Sequence, residues 1–395
     1  MSAPALGSAA REVAGDIDDL EPRVAQVLDA KLRRRGDGPY LPKTAEQIVT
    51  ALDTLVRAHG MTDAELSDVR RMAGGASKEQ FSFRLRSGGG EPQRMVLRMD
   101  PPESIVETCR HREAELFALL AGTVPVPTTR FLDGDGIHLG QPGIVTGFID
   151  GVTSPPASGT VVSGVGTAFT DEWRHKLVPG FVDNLALIHA QDWRSAELPH
   201  FQAPTAHSRQ AALWQVNWWA RVWRDDQVDP YPLVTLGERW MRERLPEVAP
   251  GDLVLLHADY RTGNFMFDPE TGEFRAVLDW ELAHIGDFHE DLGWIMQRLF
   301  AGPAEDGRTL ACSLLERDEL IRRYEEATGR AVNRRTLAFY EVLGAYKCAV
   351  MNLGTGYSAA IRGHNHQDVL LSFLAPVAHV FLTEMARIIS EESRS

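Results

Sequence analysis

The chain predicts an α+β fold in two lobes, and three observations predict it. Its 395 residues are enough for two packed lobes rather than one small core. A strand-rich stretch begins near Val69, where Phe81, Phe83 and Leu85 alternate with Ser82, Arg84 and Arg86, the period of a half-buried strand. From about Glu172 the pattern turns helical to the end, interrupted by short apolar runs between Leu253 and Leu278. The expected division is a helical extension over 1–65, a small lobe of antiparallel sheet plus helix over 66–147, and a larger, mostly helical lobe over 148–395. Residues 1–16 are small and polar and are expected to be flexible.

In the extension, Val24, Val27, Leu28 and Leu32 fall on one helical face that ends in Lys31-Leu32-Arg33-Arg34-Arg35 before Gly36. That basic end reads as a solvated helix terminus; contact of Arg33 to Arg35 with phosphate is the less favoured alternative. Thr44-Ala45-Glu46-Gln47 has the form of a capping box, opening a helix with Ile48, Leu52, Leu55 and Val56 inward and Gly60 at its end. Such an extension can serve as a lid, a dimer contact or packing for the first lobe.

The strand-rich stretch opens with Val69 to Met72 and a glycine loop, Ala73-Gly74-Gly75-Ala76-Ser77-Lys78. Gly88-Gly89-Gly90 forms the turn to a returning strand, Met95-Val96-Leu97-Arg98. Glycines in the first loop let backbone N–H groups approach phosphate oxygens; a plain hairpin turn is the alternative. A helix starts near His111-Arg112-Glu113 and runs through Leu120, and Val124-Pro125-Val126-Pro127 returns the chain to the sheet. Gly143 to Gly151 is the passage between lobes, and 152–168, rich in Ser, Gly, Thr and Val, reads as a flexible insert. Trp214, Trp218, Trp219 and Trp223 recur at helical spacing, which suits a core-facing stripe more than the wall of an acceptor pocket. Asp225, Asp226 and Asp229 follow them, either to meet a cationic substrate or as a solvated loop.

The chemistry concentrates in His257-Ala258-Asp259-Tyr260-Arg261-Thr262-Gly263-Asn264 and Val277-Leu278-Asp279-Trp280-Glu281. Leu253 to Leu256 and Phe265 to Phe267 read as buried strands flanking a polar loop. Asp259 and Asn264 have the D-x-x-x-x-N spacing of a phosphoryl-transfer loop. Asp259 can accept a hydroxyl proton, Arg261 can meet phosphoryl oxygens, and Asn264 offers a neutral oxygen to Mg²⁺. Asp279 supplies the principal carboxylate, since Mg²⁺ takes one or two carboxylates plus phosphate. The turn Asp268-Pro269-Glu270-Thr271-Gly272 makes a hairpin that brings Asn264 and Asp279 together. His257 is assigned to holding the loop by hydrogen bonds.

H-x-D-x-x-x-x-N, then L-D-W-E, His284-Ile285-Gly286-Asp287 and Asp291-Leu292-Gly293-Trp294 resemble the aminoglycoside phosphotransferase and choline kinase-like superfamily. Within it, the chain is similar to the group that includes kinase domains associated with acyl-CoA dehydrogenases, from about residue 66 to the C-terminus. The resemblance implies a protein-kinase-like fold, a nucleotide-binding first lobe, ATP with Mg²⁺, and a small-molecule hydroxyl acceptor held by the second lobe. It places Arg98 where the wider superfamily carries lysine, to bind α- and β-phosphates. It selects Glu113 as the acid that positions Arg98, over Glu115, which points about 200° away on the helix. It sets Gly74, Gly75, Ser77 and Lys78 over the phosphates. It offers Val145 and Phe148 as adenine neighbours, with plain core residues an equal alternative. Gly286-Asp287 and Asp291-Leu292 would brace the catalytic loop. The chain departs from the pattern at Ala258, where glycine is common, at Phe288, where proline is usual, and at Lys78 and Glu79 in the glycine loop.

Two rivals stand beside a small-molecule kinase. One is a non-catalytic nucleotide-binding module of the same fold. The other is a metal-dependent phosphohydrolase using His284, Asp287, His289 and Asp291 with His257, Asp259 and Asp279. His364 and His366 read as a polar loop rather than ligands. A net charge of −14 argues against a nucleic-acid partner. No sequence run reaches the roughly eighteen consecutive apolar residues of a membrane span, and no export signal is read at the N-terminus. Cys109, Cys312 and Cys348 lack a C-x-x-C pair and suit reduced thiols in a cytoplasmic protein.

Overall fold

A computed structural model of the chain describes residue 17 and residues 19–36, 38–72, 77–155 and 167–394. Among the described residues helix α1 (Pro22–Arg34) comes first, with proline in its opening turn. Helix α2 (Ala45–Ala58) has the capping box: the Thr44 hydroxyl accepts the Gln47 N–H, and the Gln47 side chain answers at the Thr44 N–H. A sheet follows, built from β1 (Glu65–Arg71), β2 (Glu79–Arg86), β3 (Gln93–Met99), β4 (Thr129–Asp133) and β5 (Gly143–Gly147), with α3 (Arg110–Leu120) between β3 and β4. Its order is β1-β2-β3-β5-β4, antiparallel throughout.

The two faces of this sheet serve different cores. Phe81, Phe83 and Leu85 on β2, Met95, Leu97 and Met99 on β3, and Val145 on β5 pack against Ile48, Leu52, Leu55 and Val56 of α2. The other face carries Arg98 and Ile144, directly paired across β3 and β5, and directly paired residues share a face. Ile144 joins the larger core, together with Leu116, Phe117 and Leu120 of α3. The two helices of the extension therefore part company. Helix α2 covers the sheet, whereas Leu20, Val24 and Leu28 around α1 enter the larger core.

The second lobe holds α4 (Asp171–His189), α5 (Gln210–Asp226), α6 (Pro232–Arg242), β6 (Leu253–Leu256), β7 (Phe265–Phe267), β8 (Phe274–Val277), β9 (His284–Asp287) and α7 (His289–Ile295). Helices α8 (Arg317–Thr328) and α9 (Arg334–Val350) follow, then a π-helical turn over Met351–Gly356, α10 (Tyr357–Arg362), α11 (Asp368–Leu374) and α12 (Ala378–Glu392). Helix α9 is buried along almost its whole length. The tryptophan stripe is core: Trp218, Trp219 and Trp223 are buried in the larger cluster, and Trp214 is buried as well. The helical segment Asp368–Glu392 is long and apolar enough to cross a membrane by length and composition alone. Phe381, Leu382 and Met385 on it pack into the larger core.

Two short ladders frame the polar loop. β6 pairs with β9 and β7 with β8, both antiparallel. The loop over 257–264 leaves one ladder and enters the other. Val152, just past the inter-lobe passage, exchanges two backbone hydrogen bonds with Phe267 of β7, at 3.0 and 2.9 Å.

Candidate active site

The β7–β8 hairpin expected from the sequence forms with Phe265 opposite Val277. One residue beyond each end, the Leu278 N–H donates to the Asn264 carbonyl at 2.7 Å. His257 Nε2 bonds the Leu278 carbonyl at 2.8 Å, and its Nδ1 accepts the Asp259 N–H at 3.1 Å. The Nδ1 contact fixes the tautomer, so the proton sits on Nε2 and is donated to Leu278. Burial lowers the His257 pKa, which keeps the ring neutral for both contacts. One imidazole thus ties the first half of the loop to the peptide that precedes Asp279.

Asp291 on α7 braces the loop from behind. Its Oδ2 accepts the His257 N–H at 2.9 Å and its Oδ1 the Ala258 N–H at 2.7 Å. His189 Nε2 adds a third partner at 3.0 Å. Burial works against this charge, but the hydrogen bonds and the histidines outweigh it and hold the Asp291 carboxyl below its usual range. Ala258 between them has φ +62°, a left-handed conformation that glycine adopts without strain.

Three N–H donors converge on the Asp259 carboxylate. Trp294 Nε1 and Arg261 Nε reach Oδ1 at 2.8 and 2.9 Å, and Asn264 Nδ2 reaches Oδ2 at 2.6 Å. Asn264 Nδ2 also donates to the Asp259 carbonyl at 2.9 Å. Both contacts use the amide nitrogen, which assigns the Asn264 oxygen to the opposite side. Asp279 has φ +60° and ψ +56°; a short polar side chain tolerates this region better than most. Its Oδ1 accepts from Arg98 Nη2 at 2.5 Å, and no donor among the described residues takes its second oxygen. Arg98 Nη1 meets Glu113 at 2.6 Å, whose other oxygen is bonded by Arg110. Burial opposes the Arg98 charge, but Glu113 and Asp279 outweigh it and raise its pKa. Arg98 Nε is buried without a hydrogen-bond partner among the described residues, and a buried orphan donor of this kind calls for an acceptor.

The other acid on α3, Glu115, turns to His200. Ser77 Oγ donates to Glu281 at 3.1 Å. Gly74 and Gly75 lie outside the described residues. Lys78 departs from the glycine-loop expectation: its side chain is 1% exposed, and its ammonium is held by Ser104, at 2.9 Å, and the Val106 carbonyl, at 3.1 Å. Val145 takes the core alternative rather than the adenine one. It is paired with Leu97 rather than with Arg98, so its side chain lies in the core under α2. Phe148 sits past the end of β5 with the Arg94 guanidinium stacked 3.5 Å above its ring.

Other expectations also move. Asp287 braces His289, at 2.6 Å, rather than the catalytic loop. Arg34 and Arg35 are engaged by Glu107, at 2.9 Å, and Glu103, at 3.2 Å, rather than solvated. Asp226 faces Lys31 at 2.6 Å, not a substrate. The histidines invoked for a phosphohydrolase are spread among separate partners: His284 with Glu290 and His289 with Asp287. Among the described residues no group of three or more His, Cys, Asp or Glu side chains is placed to hold a metal. Sequence reasoning missed Trp294 as a partner of Asp259. Its only signal was its place three residues after Asp291, one helical turn along α7.

These features define a two-lobed, kinase-like protein with its polar loop at the junction of the lobes. The model of the phosphotransferase enzyme family matches residues 68–340, and the chain belongs to that family. It is 27% identical over 225 residues to mouse acyl-CoA dehydrogenase family member 10, covering 56% of this chain and 19% of that protein. Human acyl-CoA dehydrogenase family member 11 is 24% identical over 331 residues, covering 80% and 40%. The chain thus spans less than half the length of these relatives. Among solved structures, a Ralstonia eutropha protein described as an aminoglycoside phosphotransferase superposes with a TM-score of 0.61 at 21% identity, covering 86% of this chain and 98% of the other. Aminoglycoside phosphotransferase APH(4)-Ia, solved with AMP-PNP and hygromycin B, gives 0.56 at 16% identity, covering 86% and 98%. The likeness establishes the kinase-like fold.

Proposed function

We propose that the chain is an ATP-dependent phosphotransferase that moves the γ-phosphoryl group to the hydroxyl of a small molecule, with Mg²⁺ as its metal. The observation that carries this is the set of two contact groups, Asn264–Asp259 at 2.6 Å and Asp279–Arg98–Glu113 at 2.5 and 2.6 Å, joined by the Leu278 N–H to the Asn264 carbonyl at 2.7 Å. Phosphoryl transfer relies on positioning and charge stabilisation, and this set contains a base, two hard oxygen ligands and a cation fixed by an acid. Asp259 takes the proton of the attacking hydroxyl. Trp294, Arg261 and Asn264 hold its carboxylate in place. Arg98 supplies the phosphate contact, for which its orphan Nε is available, and Ser77 stands near the end of the glycine loop.

The Asn264 oxygen and the Asp279 carboxylate fit Mg²⁺, a hard ion that takes oxygen ligands and leaves much of its coordination to phosphate and water. When bound, such an ion neutralises charge on the β- and γ-phosphates. The AMP-PNP in the APH(4)-Ia complex supports a nucleotide for this fold, and hygromycin B there supports a small-molecule acceptor. The acceptor of this chain is a separate matter, since function resides in the site rather than the fold.

The test is a screen of hydroxyl-bearing compounds with γ-labelled ATP, reading label in product. The expected result is transfer to at least one compound, reduced by about 10²–10⁴ in Asp259→Asn, the usual scale of a general base, with ATP affinity little changed. Transfer at the wild-type rate in that variant would remove Asp259 from the mechanism.

A further inference from the structure

Helix α1 is joined to both sides of the molecule by buried polar contacts that phosphoryl transfer does not itself use. On one side it grips the start of α3. Glu21, the N-cap residue of α1, accepts from Arg112 Nη2, and the two side chains are 7% and 9% exposed. Arg23 Nε and Nη2 point at Cys109 Sγ, at 3.2 and 3.1 Å. Cys109 and Arg112 bracket the first turn of α3, and the next residue, Glu113, is the one that holds Arg98.

On the other side α1 is anchored to the second lobe. Lys31 Nζ donates to Asp226 Oδ2 at the end of α5 at 2.6 Å, and to Thr355 Oγ1 in the π-helical turn at 2.7 Å. The Lys31 side chain is 3% exposed. Buried pairs of this type gain little net stability after desolvation, but breaking one leaves an uncompensated charge, so they discriminate sharply between one geometry and its neighbours. In kinase-type sites the cation–acid pair works only when the helix carrying the acid is in place.

We infer that α1 is the positioning element for the Arg98–Glu113 pair: it holds α3 through Glu21 and Arg23 and is itself fixed to α5 through Lys31. The inference rests on the nucleotide-binding role proposed for Arg98. It assigns α1 a part in setting ATP affinity, although none of its hydrogen bonds among the described residues reaches Arg98 or the loop over 257–264.

The experiment is a double-mutant cycle on the full chain, reading affinity for ATP with Mg²⁺ in the absence of acceptor. Glu21→Gln keeps an oxygen for the Gln202 N–H, which Glu21 Oε1 accepts at 3.0 Å, while removing the charge facing Arg112. It should weaken ATP binding by about five-fold or more, the lower end of coupling between sites. In an Arg98→Ala background the same change should add nothing. Wild-type affinity in Glu21→Gln, or an equal loss in both backgrounds, overturns the inference, because a general loss of stability would act with or without Arg98. Hydrogen exchange over residues 110–120 gives a readout independent of nucleotide: Glu21→Gln should accelerate it relative to α9, and unchanged exchange also overturns the inference. If the wild-type chain binds no ATP, the role given to Arg98 fails, and the exchange result alone decides whether α1 positions α3. Lys31→Met, at the opposite anchor, repeats both measurements if Glu21→Gln does not fold.

Discussion

Trp294 donates to Oδ1 of Asp259, the proposed base, at 2.8 Å, and among the described residues its indole N–H bonds no other group proposed for catalysis. A hydrogen bond to a charged group contributes about 1.5–3 kcal/mol. Trp294→Phe should therefore lower kcat by about ten-fold or more while leaving the KM for ATP unchanged, the pattern of an interaction that acts on the chemical step. Steady-state kinetics check this; a rise in the ATP KM with kcat intact would show that the indole supports the nucleotide instead. Ala258 offers a second residue-scale test. Its left-handed backbone, φ +62°, costs a non-glycine residue about 1–2 kcal/mol, against about 0.5–1 kcal/mol of extra chain entropy for glycine. Ala258→Gly should stabilise the protein by about 0.5–1 kcal/mol in urea denaturation; a loss of stability would mean that the buried methyl outweighs the strain. The family resemblance sets Ala258 where glycine is common, and the positive φ supplies the physical reason. Trp294 was legible only as a motif letter, because the donor to a base is chosen by three-dimensional convergence rather than by spacing.

At the scale of elements, α7 connects the loop over 257–264 to the buried helix α9. Asp291 on α7 accepts both loop amides. Its neighbour Glu290 pairs with Lys347 of α9 at 2.8 Å, and that ammonium lies 5.1 Å from the Trp294 ring centroid. Burial opposes the Glu290 charge, but Lys347 and His284 outweigh it and bring its pKa from 4.5 down to about 2. A carboxylate depressed in the folded state contributes stability above its unfolded pKa and loses it as pH falls through the folded value. Glu290→Gln, which leaves a buried lysine unpaired, should cost about 3–5 kcal/mol near neutral pH. Its deficit relative to the wild type should shrink as pH falls from 4.5 toward 2. Denaturation midpoints across that range decide the matter; a deficit independent of pH would place the loss in packing rather than charge. The β7–β8 hairpin, the α2 capping box and the tryptophan stripe were legible because each is written in local periodicity or turn chemistry. The pairing of β6 with β9 was not, since a four-residue apolar strand does not specify its partner.

For the whole molecule, the two-lobed plan followed from length, from the strand-rich first part and from the helical remainder. The split of the extension between two cores did not follow, because both helices show an apolar face and only tertiary packing decides which surface each covers. The same limit explains Val145, whose side of the sheet depends on its register with Arg98, and Asp226, whose partner lies 195 residues away at Lys31. The central claim is that Asn264 and Asp279, held by the β7–β8 hairpin and by Leu278, form with Asp259 one site for a metal-bound nucleotide. Calorimetric titration of ATP in Mg²⁺ and in EDTA, with the wild type and with Asp279→Ala, tests it most directly. The account predicts that Mg²⁺ strengthens ATP binding to the wild type and that Asp279→Ala loses about ten-fold or more of that gain, some 1.4 kcal/mol. Equal strengthening by Mg²⁺ in both proteins would contradict it.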